Sequence, residues 1–270
     1  MPPFLPERVP AQALIGMVHV GALPGTPRAS EPVATLAARA AEEAKVLADA
    51  GFDAIIVENM HDAPYVHGPA LGPEITSAMT RAVGAVVDAV SVPVGVQILS
   101  GGNRHALAVA LATGAAFIRC ENFVFAHVAD EGLLAEAEAG PLLRYRRSIG
   151  ADAVRVFCDI KKKHASHAIT ADLSLADCAE AAEFFGADGL IVTGTATGKP
   201  TDERDVQAVR QASSLPVLVG SGVTPEAVGV LFQHADALIV GSWIKQDGVW
   251  SSPVCPGRAN ELVRAARAPG

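Results

Sequence analysis

The chain repeats one short phrase, and its clearest copy is FGADGLIVT at residues 185–193. A helical stretch ends before the glycine, a short apolar run follows, and the run closes on a polar threonine. Related copies are AGFDAIIVE at 50–58, TGAAFIRCE at 113–121 and IGADAVRVFCD at 149–159, with HADALIVGS at 234–242 as a variant without the first glycine. Glycine suits the left-handed position that ends a helix, so the phrase predicts a recurring helix-to-strand junction.

Outward from this phrase, eight short apolar runs alternate with eight amphipathic stretches. The predicted strands are Leu14–Val20, Asp53–Glu58, Pro93–Leu99, Ala116–Glu121, Ala153–Ile160, Gly189–Thr193, Pro216–Gly220 and Ala237–Gly241. The predicted helices are Val33–Asp49, Glu74–Ala89, Arg104–Thr113, Gly140–Ile149, Ser174–Phe185, Asp202–Ser213, Pro225–Gln233 and Pro256–Ala268. Strict alternation predicts a parallel sheet, and the Val- and Ile-rich strands are typical of strands buried on both faces.

Eight such units in 270 residues predict one α/β domain over residues 1–270, folded as a (β/α)8 TIM barrel. Residues 1–12 are predicted to be an N-terminal extension. An open doubly wound sheet is the alternative, and the lack of a Gly-x-Gly-x-x-Gly sequence after the first strand disfavours it. Four strand-to-helix connections are long, namely 21–32, 59–73, 122–139 and 160–173, whereas the opposite connections are short. Long loops at the C-terminal ends of the strands indicate an active-site face.

Composition excludes several classes of function. Hydrophobic residues make up 50% of the chain and the net charge is -8, and the basic runs at 144–147 and 161–163 accompany no nucleic-acid-binding motif. The four cysteines have no Cys-x-x-Cys spacing, which argues against a zinc knuckle or a dithiol motif. No leader sequence or membrane-length apolar run is seen. We therefore expect a cytoplasmic homo-oligomer without a nucleic-acid partner, associated with membranes at most peripherally.

Polar residues end almost every predicted strand. Because alternate residues of a strand share a face, the inward faces bring together a predicted polar ring of His19, Glu58, Gln97, Glu121, Asp159, Lys161 and Thr193. Burying so many charges without a use is costly, so we predict catalytic acid, base and electrophile roles for His19, Glu58, Glu121, Asp159 and Lys161. The alternative is that these charges form internal ion pairs. In that case Lys161 would pair with Asp159 or Glu58, and Arg119 would pair with Glu121. Mg²⁺ or Mn²⁺ held by the carboxylates and His19 is a second alternative, but without a metal-binding spacing no metal ligand is assigned.

Other polar residues near the strand ends are candidates for substrate contact. They are Asn59, His61, Gln97, Asn122, Thr193, Gly194 and Lys199. The last three belong to the loop TGTATGK at 193–199, which fails the Walker A spacing because Pro200 follows the lysine. A solvated loop, or turn-forming and capping roles, are the structural alternatives.

A phosphate site is predicted at the seventh and eighth strands, where barrels commonly place one. The seventh strand runs into GSGVTP at 220–225, with Gly220, Ser221, Gly222 and Thr224 as candidate contacts, and the eighth ends in Gly241 and Ser242. Glycines allow close backbone approach to a ligand. Thr224 is expected to cap a helix that begins at Pro225 and offers free N–H groups to an anion. The alternative is that the glycines only form tight turns.

Several blocks together resemble the BtpA/SgcQ family. They are GMVHVGALPG at 16–25, VENMHD at 57–62, RCEN at 119–122, DIKKKH at 159–164, VTG at 192–194 and GSGVT at 220–224. The resemblance spans about residues 13–265 and implies a TIM barrel of the ribulose-phosphate-binding type. One branch of the family is named for photosystem I biogenesis at the thylakoid membrane, and another accompanies sugar-metabolism proteins. The resemblance carries no catalytic residue over to this chain.

Two functional hypotheses follow. The first is an enzyme acting on a phosphorylated sugar or a nucleotide-like metabolite by glycosidic cleavage, lyase or isomerase chemistry. The second is a non-enzymatic assembly or stabilisation factor for a membrane complex such as photosystem I, and only the family name supports it.

Overall fold

Eight parallel strands close into a barrel in a computed structural model that describes residues 12–194 and 201–268. The strands are β1 (Ala13–His19), β2 (Ala54–Glu58), β3 (Val94–Gln97), β4 (Phe117–Cys120), β5 (Arg155–Asp159), β6 (Gly189–Val192), β7 (Val217–Val219) and β8 (Ala237–Val240). Each strand pairs with its neighbours in the chain, and β1 pairs with β8 to close the barrel. The predicted (β/α)8 fold is therefore confirmed, and the open sheet is excluded.

Helices surround the strands in the predicted alternating order. They are α1 (Val33–Ala50), α2 (Pro73–Ala89), α3 (Asn103–Thr113), α4 (Ala139–Ser148), α5 (Leu175–Phe184), α6 (Glu203–Ala212), α7 (Val228–Leu231) and α8 (Pro256–Arg267). None of the described helices is long and apolar enough to cross a membrane.

The seventh helix corrects one prediction. It covers only four residues, and Ala227 rather than Thr224 precedes it. The Thr224 carbonyl accepts hydrogen bonds from the N–H groups of Ala227 and Val228, so a turn replaces the expected first helical turn. Val228, Gly229 and Val230 are weak helix formers, which explains the short helix. No helix N-terminus at Pro225 is available to attract an anion.

The repeated phrase has a structural role at the bottom of the barrel. Gly51, Gly114, Gly150 and Gly186 all have positive φ, as predicted for glycines that end helices. In three copies the following aspartate binds the neighbouring strand twice. The Asp188 N–H donates to the Val156 carbonyl, and the Asp188 carboxylate accepts from the Val156 N–H, both at 2.9 Å. Asp53 and Asp236 bind Leu14 and Val217 in the same way.

The barrel interior follows the alternation of side chains along the strands. Its apolar cluster consists of Ala13, Ile15, Met17, Ala54, Ile56, Phe117, Phe157, Ile191, Leu218, Ala237 and Ile239. A Cβ on Gly95 would lie 2.2 Å from the Phe117 ring, so only glycine at that position leaves room for the ring. This layer closes the lower barrel and leaves the polar strand ends above it.

Loop structure above the strands is richer than predicted. Three short strands, His127–Ala129, Gly132–Leu134 and Ala165–Ser166, form a small antiparallel sheet in the loops after β4 and β5. The connection between β8 and α8 contains two short 3-10 helices, Ser242–Ile244 and Gln246–Gly248. Both features contribute residues to the site.

Candidate functional site

A cavity of about 490 Å³ lies at the C-terminal ends of the strands, on the predicted face. Its size is typical of sites for small metabolites. Its lining includes His19, Glu58, Gln97, Glu121 and Asp159 from the predicted polar ring, and Gly220, Ser221, Gly222, Thr224, Gly241 and Ser242 from the predicted phosphate site. The structure thus brings most of the predicted catalytic and phosphate residues to one cavity.

Two buried ion pairs brace the cavity wall. The Arg119 guanidinium donates from Nε and Nη2 to the two oxygens of Asp159, at 2.9 and 2.8 Å. Lys162 Nζ donates to Glu121 Oε1 at 3.2 Å, and the Gly101 N–H donates to Glu121 Oε2 at 2.9 Å. Burial opposes ionisation of Glu121, but Lys162 and the Gly101 N–H outweigh it and hold the pKa of Glu121 below its usual range.

These partners differ from the predicted ion pairs. Arg119 lies in β4, which ends before Glu121, and its guanidinium reaches Asp159 on the adjacent β5. The bidentate pairing keeps Asp159 as an acceptor on the wall of the cavity.

His19 and Glu58 lie side by side in the cavity wall, and both have shifted pKa values. His19 Nδ1 lies 2.8 Å from the Trp250 carbonyl, which can only accept, so Nδ1 carries the proton and Nε2 has a free lone pair. His19 Nε2 lies 3.5 Å from Glu58 Oε2. Burial, assisted by Lys245, lowers the pKa of His19 to about 3, and burial raises the pKa of Glu58 to about 7. A neutral imidazole therefore faces a carboxyl group that exchanges its proton near neutral pH.

The lysine run corrects a second prediction. Lys161 was expected to share the inward face of Asp159, but β5 ends at Asp159 and Lys161 has a positive φ of 45°. Its ammonium group donates to the Leu173 carbonyl, and Lys161 does not line the cavity. Lys163 does line it, and its backbone N–H donates to Thr193 Oγ1 at 3.1 Å.

Several predicted substrate contacts are structural instead. The buried Asn59 amide donates to Asp62 and accepts from the Leu99 N–H, both at 2.7 Å, so it joins two loops. The Asn122 amide donates to the Glu136 carbonyl. Neither asparagine lines the cavity, because each side chain holds the backbone of a neighbouring loop.

The remaining predicted contacts lie around the cavity. Thr193 binds Lys163, and the Gly194 N–H donates to Ser221 Oγ at 2.7 Å, so both order the site without lining it. His61 packs against the Trp250 ring at a centroid distance of 5.0 Å, on the far side from the cavity. Lys199 falls outside the described residues.

Three buried polar atoms of cavity-lining residues have no hydrogen-bond partner among the described residues. They are the acceptors Gln97 Oε1 and Glu131 Oε2 and the donor Trp243 Nε1. Buried polar groups in folded proteins are nearly always satisfied. These three atoms are therefore available to a bound ligand.

Sequence reasoning missed the contribution of the connection between β8 and α8. Trp243 and Trp250 both line the cavity, as does Arg258 at the start of α8. The Arg258 guanidinium lies over the Trp243 ring, 3.9 Å from its centroid. The available signal was that the only two tryptophans of the chain fall in this long connection.

The described residues contain no group of three His, Cys, Asp or Glu side chains arranged to hold a metal ion. The carboxylates of Asp159 and Glu121, two of the side chains considered as metal ligands, form ion pairs with Arg119 and Lys162 instead. The geometry therefore gives no support to the Mg²⁺ or Mn²⁺ alternative.

Comparison with known sequences supports the predicted resemblance. The profile of the BtpA family matches residues 10–268. An uncharacterized mitochondrial protein of Caenorhabditis elegans is 43% identical over 93% of this chain and 91% of its own length. The photosystem I biogenesis protein BtpA of Synechocystis is 37% identical over 93% of this chain and 87% of its own length.

Comparison with solved structures supports the fold. Orotidine 5'-monophosphate decarboxylase from Methanocaldococcus jannaschii, determined with the inhibitor BMP, superposes with a TM-score of 0.61. The alignment covers 96% of this chain and all of that one at 14% sequence identity. At this identity the likeness concerns the (β/α)8 fold alone.

Proposed function

This chain belongs to the BtpA family, and we propose that it is a TIM-barrel enzyme acting on a phosphorylated sugar or a nucleotide-like small molecule. The single observation that carries the proposal is a cavity whose two ends differ in chemistry. One end offers backbone N–H groups and an arginine, and the other offers a carboxyl group and a neutral imidazole.

The anion end lies beside β7 and β8. The N–H groups of Gly222, Val223 and Ser242 have no acceptor among the described residues, and all three residues line the cavity. Arg258 lines the same wall. Free backbone N–H groups beside a guanidinium suit a phosphate group, since the phosphate oxygens accept several charge-assisted hydrogen bonds at once.

The chemical end lies beside β1 and β2. With a pKa of about 7, Glu58 is present in both the acid and the carboxylate forms at neutral pH, as general acid–base catalysis requires. His19 Nε2 can accept a hydrogen bond from the protonated Glu58 carboxyl group and orient it, while Glu58 exchanges its proton with the substrate. Lyase, isomerase and glycosidic cleavage reactions all need such a proton transfer at a substrate carbon or oxygen.

Binding of phosphorylated metabolites tests this proposal. D-Ribose 5-phosphate and uridine 5'-monophosphate should raise the thermal unfolding temperature, whereas D-ribose and uridine should not. A ligand at 100 times its Kd contributes about 2.7 kcal/mol of stability. Arg258→Gln should weaken the effect, and Arg264→Gln, on the same helix but outside the cavity, should retain it. Absence of stabilisation by every sugar phosphate and nucleotide tested would contradict the proposal.

A second candidate function is the assembly of a membrane complex, and its support is that the Synechocystis relative is named a photosystem I biogenesis protein. Replacement of Glu58 and Asp159 by alanine separates the two functions. An assembly factor should keep its effect on complex accumulation if the variants stay folded, whereas an enzyme should lose activity.

A further inference from the structure

Lys163 and Arg258 are cations of the cavity wall that make no ion pair with a described carboxylate, and of the two only Lys163 can lose its proton and act as a nucleophile. Arg119 is paired with Asp159, Lys162 with Glu121 and the buried Lys245 with Glu43. Lys163 lines the cavity and makes no ion pair with any residue that the structure describes. Its side chain is thus not held in an ion pair by any carboxylate of residues 12–194 and 201–268.

The backbone places Lys163 there in a defined way. Lys161 and His164, on either side of it, have positive φ angles of 45° and 56°, so the three successive lysines turn in different directions. Lys161 reaches the Leu173 carbonyl, Lys162 reaches Glu121, and Lys163 reaches the cavity. The hydrogen bond from its N–H to Thr193 Oγ1 fixes the Lys163 backbone against the end of β6.

We propose that Lys163 is a nucleophilic lysine that forms a Schiff base with the carbonyl carbon of an open-chain aldose or ketose phosphate. The proposal rests on the proposed function, and it narrows the substrate to a phosphate ester that carries an aldehyde or a ketone. The phosphate would lie against Gly222, Ser242 and Arg258, which lets the carbonyl group reach Lys163 across the same cavity.

The chemistry balances without any added oxidant or reductant. The neutral amine of Lys163 attacks the carbonyl carbon, and the carbonyl oxygen takes up a proton to give a carbinolamine. Loss of the hydroxyl group as water then leaves the protonated Schiff base, with a C=N bond in place of the C=O bond. Glu58 is suited to deliver and recover the protons, since Glu58 and Lys163 each shift the pKa of the other.

The electrostatic setting agrees with this role. Burial lowers the pKa of Lys163, and the nearby Arg119 guanidinium lowers it further, although Glu58 and Asp159 oppose the shift. A lysine nucleophile must lose its proton before it attacks, and a lowered pKa increases the reactive fraction at neutral pH.

Reductive trapping tests the proposal. The full chain would be incubated with D-ribose 5-phosphate or dihydroxyacetone phosphate and sodium cyanoborohydride, which reduces a Schiff base to a stable secondary amine. Intact-mass measurement and peptide mapping should find one adduct per chain, on Lys163. D-Ribose should react at least about tenfold more slowly, because only the phosphate ester is held beside the amine. Inorganic phosphate should compete.

Matched variants complete the test. Lys163→Arg should remove the adduct while the thermal stabilisation by D-ribose 5-phosphate persists, and Lys161→Arg should leave both unchanged. Stabilisation by D-ribose 5-phosphate without a Lys163 adduct from either probe would overturn the Schiff-base role and leave the proposed function standing. Adducts spread over exposed lysines such as Lys45 would overturn it as well. If neither probe stabilises the chain and neither labels it, the result would count against the proposed function itself.

Discussion

Glu58 should leave a signature in the pH dependence of stability. Its pKa is about 7 in the folded chain, against 4.5 for an ordinary glutamate. The folded state therefore keeps a proton that the unfolded state loses, and the free energy of unfolding falls as pH rises from about 4.5 through about 7. The full difference is on the order of 3 kcal/mol, because one pKa unit corresponds to about 1.4 kcal/mol.

Denaturant unfolding of Glu58→Gln across this pH range checks the prediction. The free energy of unfolding of the variant should not fall in this way, so the variant should become more stable relative to the parent chain as pH rises. His19 acts in the opposite sense, since its lowered pKa costs stability as pH falls below about 6.5, and that contribution should persist in the variant. Glu261→Gln, at an exposed position on α8, is the control. Parallel pH curves for Glu58→Gln and the parent would contradict the assignment.

Sequence alternation located some side chains of the site and failed for others. It could place His19, Glu58, Gln97 and Asp159 on inward faces because they lie within regular strands. It could not place Lys161, since alternation stops where β5 ends and the backbone turns left-handed. Alternation also could not predict the pairing of Arg119 with Asp159, because the sequence of a single strand does not determine its register against the neighbouring strand.

At the scale of elements, the connection between β8 and α8 depends on one side chain of α1. Glu43 accepts from Lys245 Nζ at 2.7 Å and from the Val254 N–H at 3.2 Å, so it holds both ends of the segment that carries Trp250. Lys245 is only 1% exposed. Glu43→Ala would leave the Lys245 ammonium group buried without its carboxylate partner, which should lower the free energy of unfolding by about 3–5 kcal/mol.

Tryptophan fluorescence isolates this element, because both tryptophans of the chain lie in it. In Glu43→Ala, acrylamide should quench the fluorescence more strongly than in the parent under conditions in which both are folded. Glu42→Ala, at the neighbouring exposed position on α1, should behave like the parent. Equal quenching in all three proteins would show that Glu43 does not anchor the segment.

Element boundaries were predictable to different degrees. Amphipathic pattern and glycine stops located the eight barrel strands and the eight helices between them, but the predicted seventh helix was too long, since only Val228–Leu231 is helical. The small antiparallel sheet in the loops after β4 and β5 was not predicted. Its strands are only two or three residues long, which is too short to show an alternating pattern. Two of them form a tight hairpin, and the third pairs with the hairpin from more than 30 residues further along the chain.

At the scale of the whole molecule, the barrel separates a stabilising end from a functional end. The bottom carries the repeated aspartates that bind neighbouring strands, and the top carries the cavity. The sequence indicated both ends, because the repeated phrase marks the bottom and the long loops mark the top. The chemical assignment of the top needed the three-dimensional pairing of its charges.

This separation predicts that the bottom aspartates affect stability without affecting binding. The Asp188 carboxylate accepts from the Val156 N–H, from Arg146 at 2.7 Å and from Arg155 at 3.0 Å. Asp188→Ala leaves the Val156 N–H unsatisfied and should lower the free energy of unfolding by about 2–4 kcal/mol. Asp152→Ala is the matched control, because Asp152 stands at the same place in its phrase but is exposed and forms a surface ion pair with Arg147. This substitution should lower the free energy of unfolding by less than about 1 kcal/mol. The rise in unfolding temperature caused by D-ribose 5-phosphate should be the same in both variants as in the parent chain, and a smaller rise in Asp188→Ala alone would show that the two ends of the barrel are coupled.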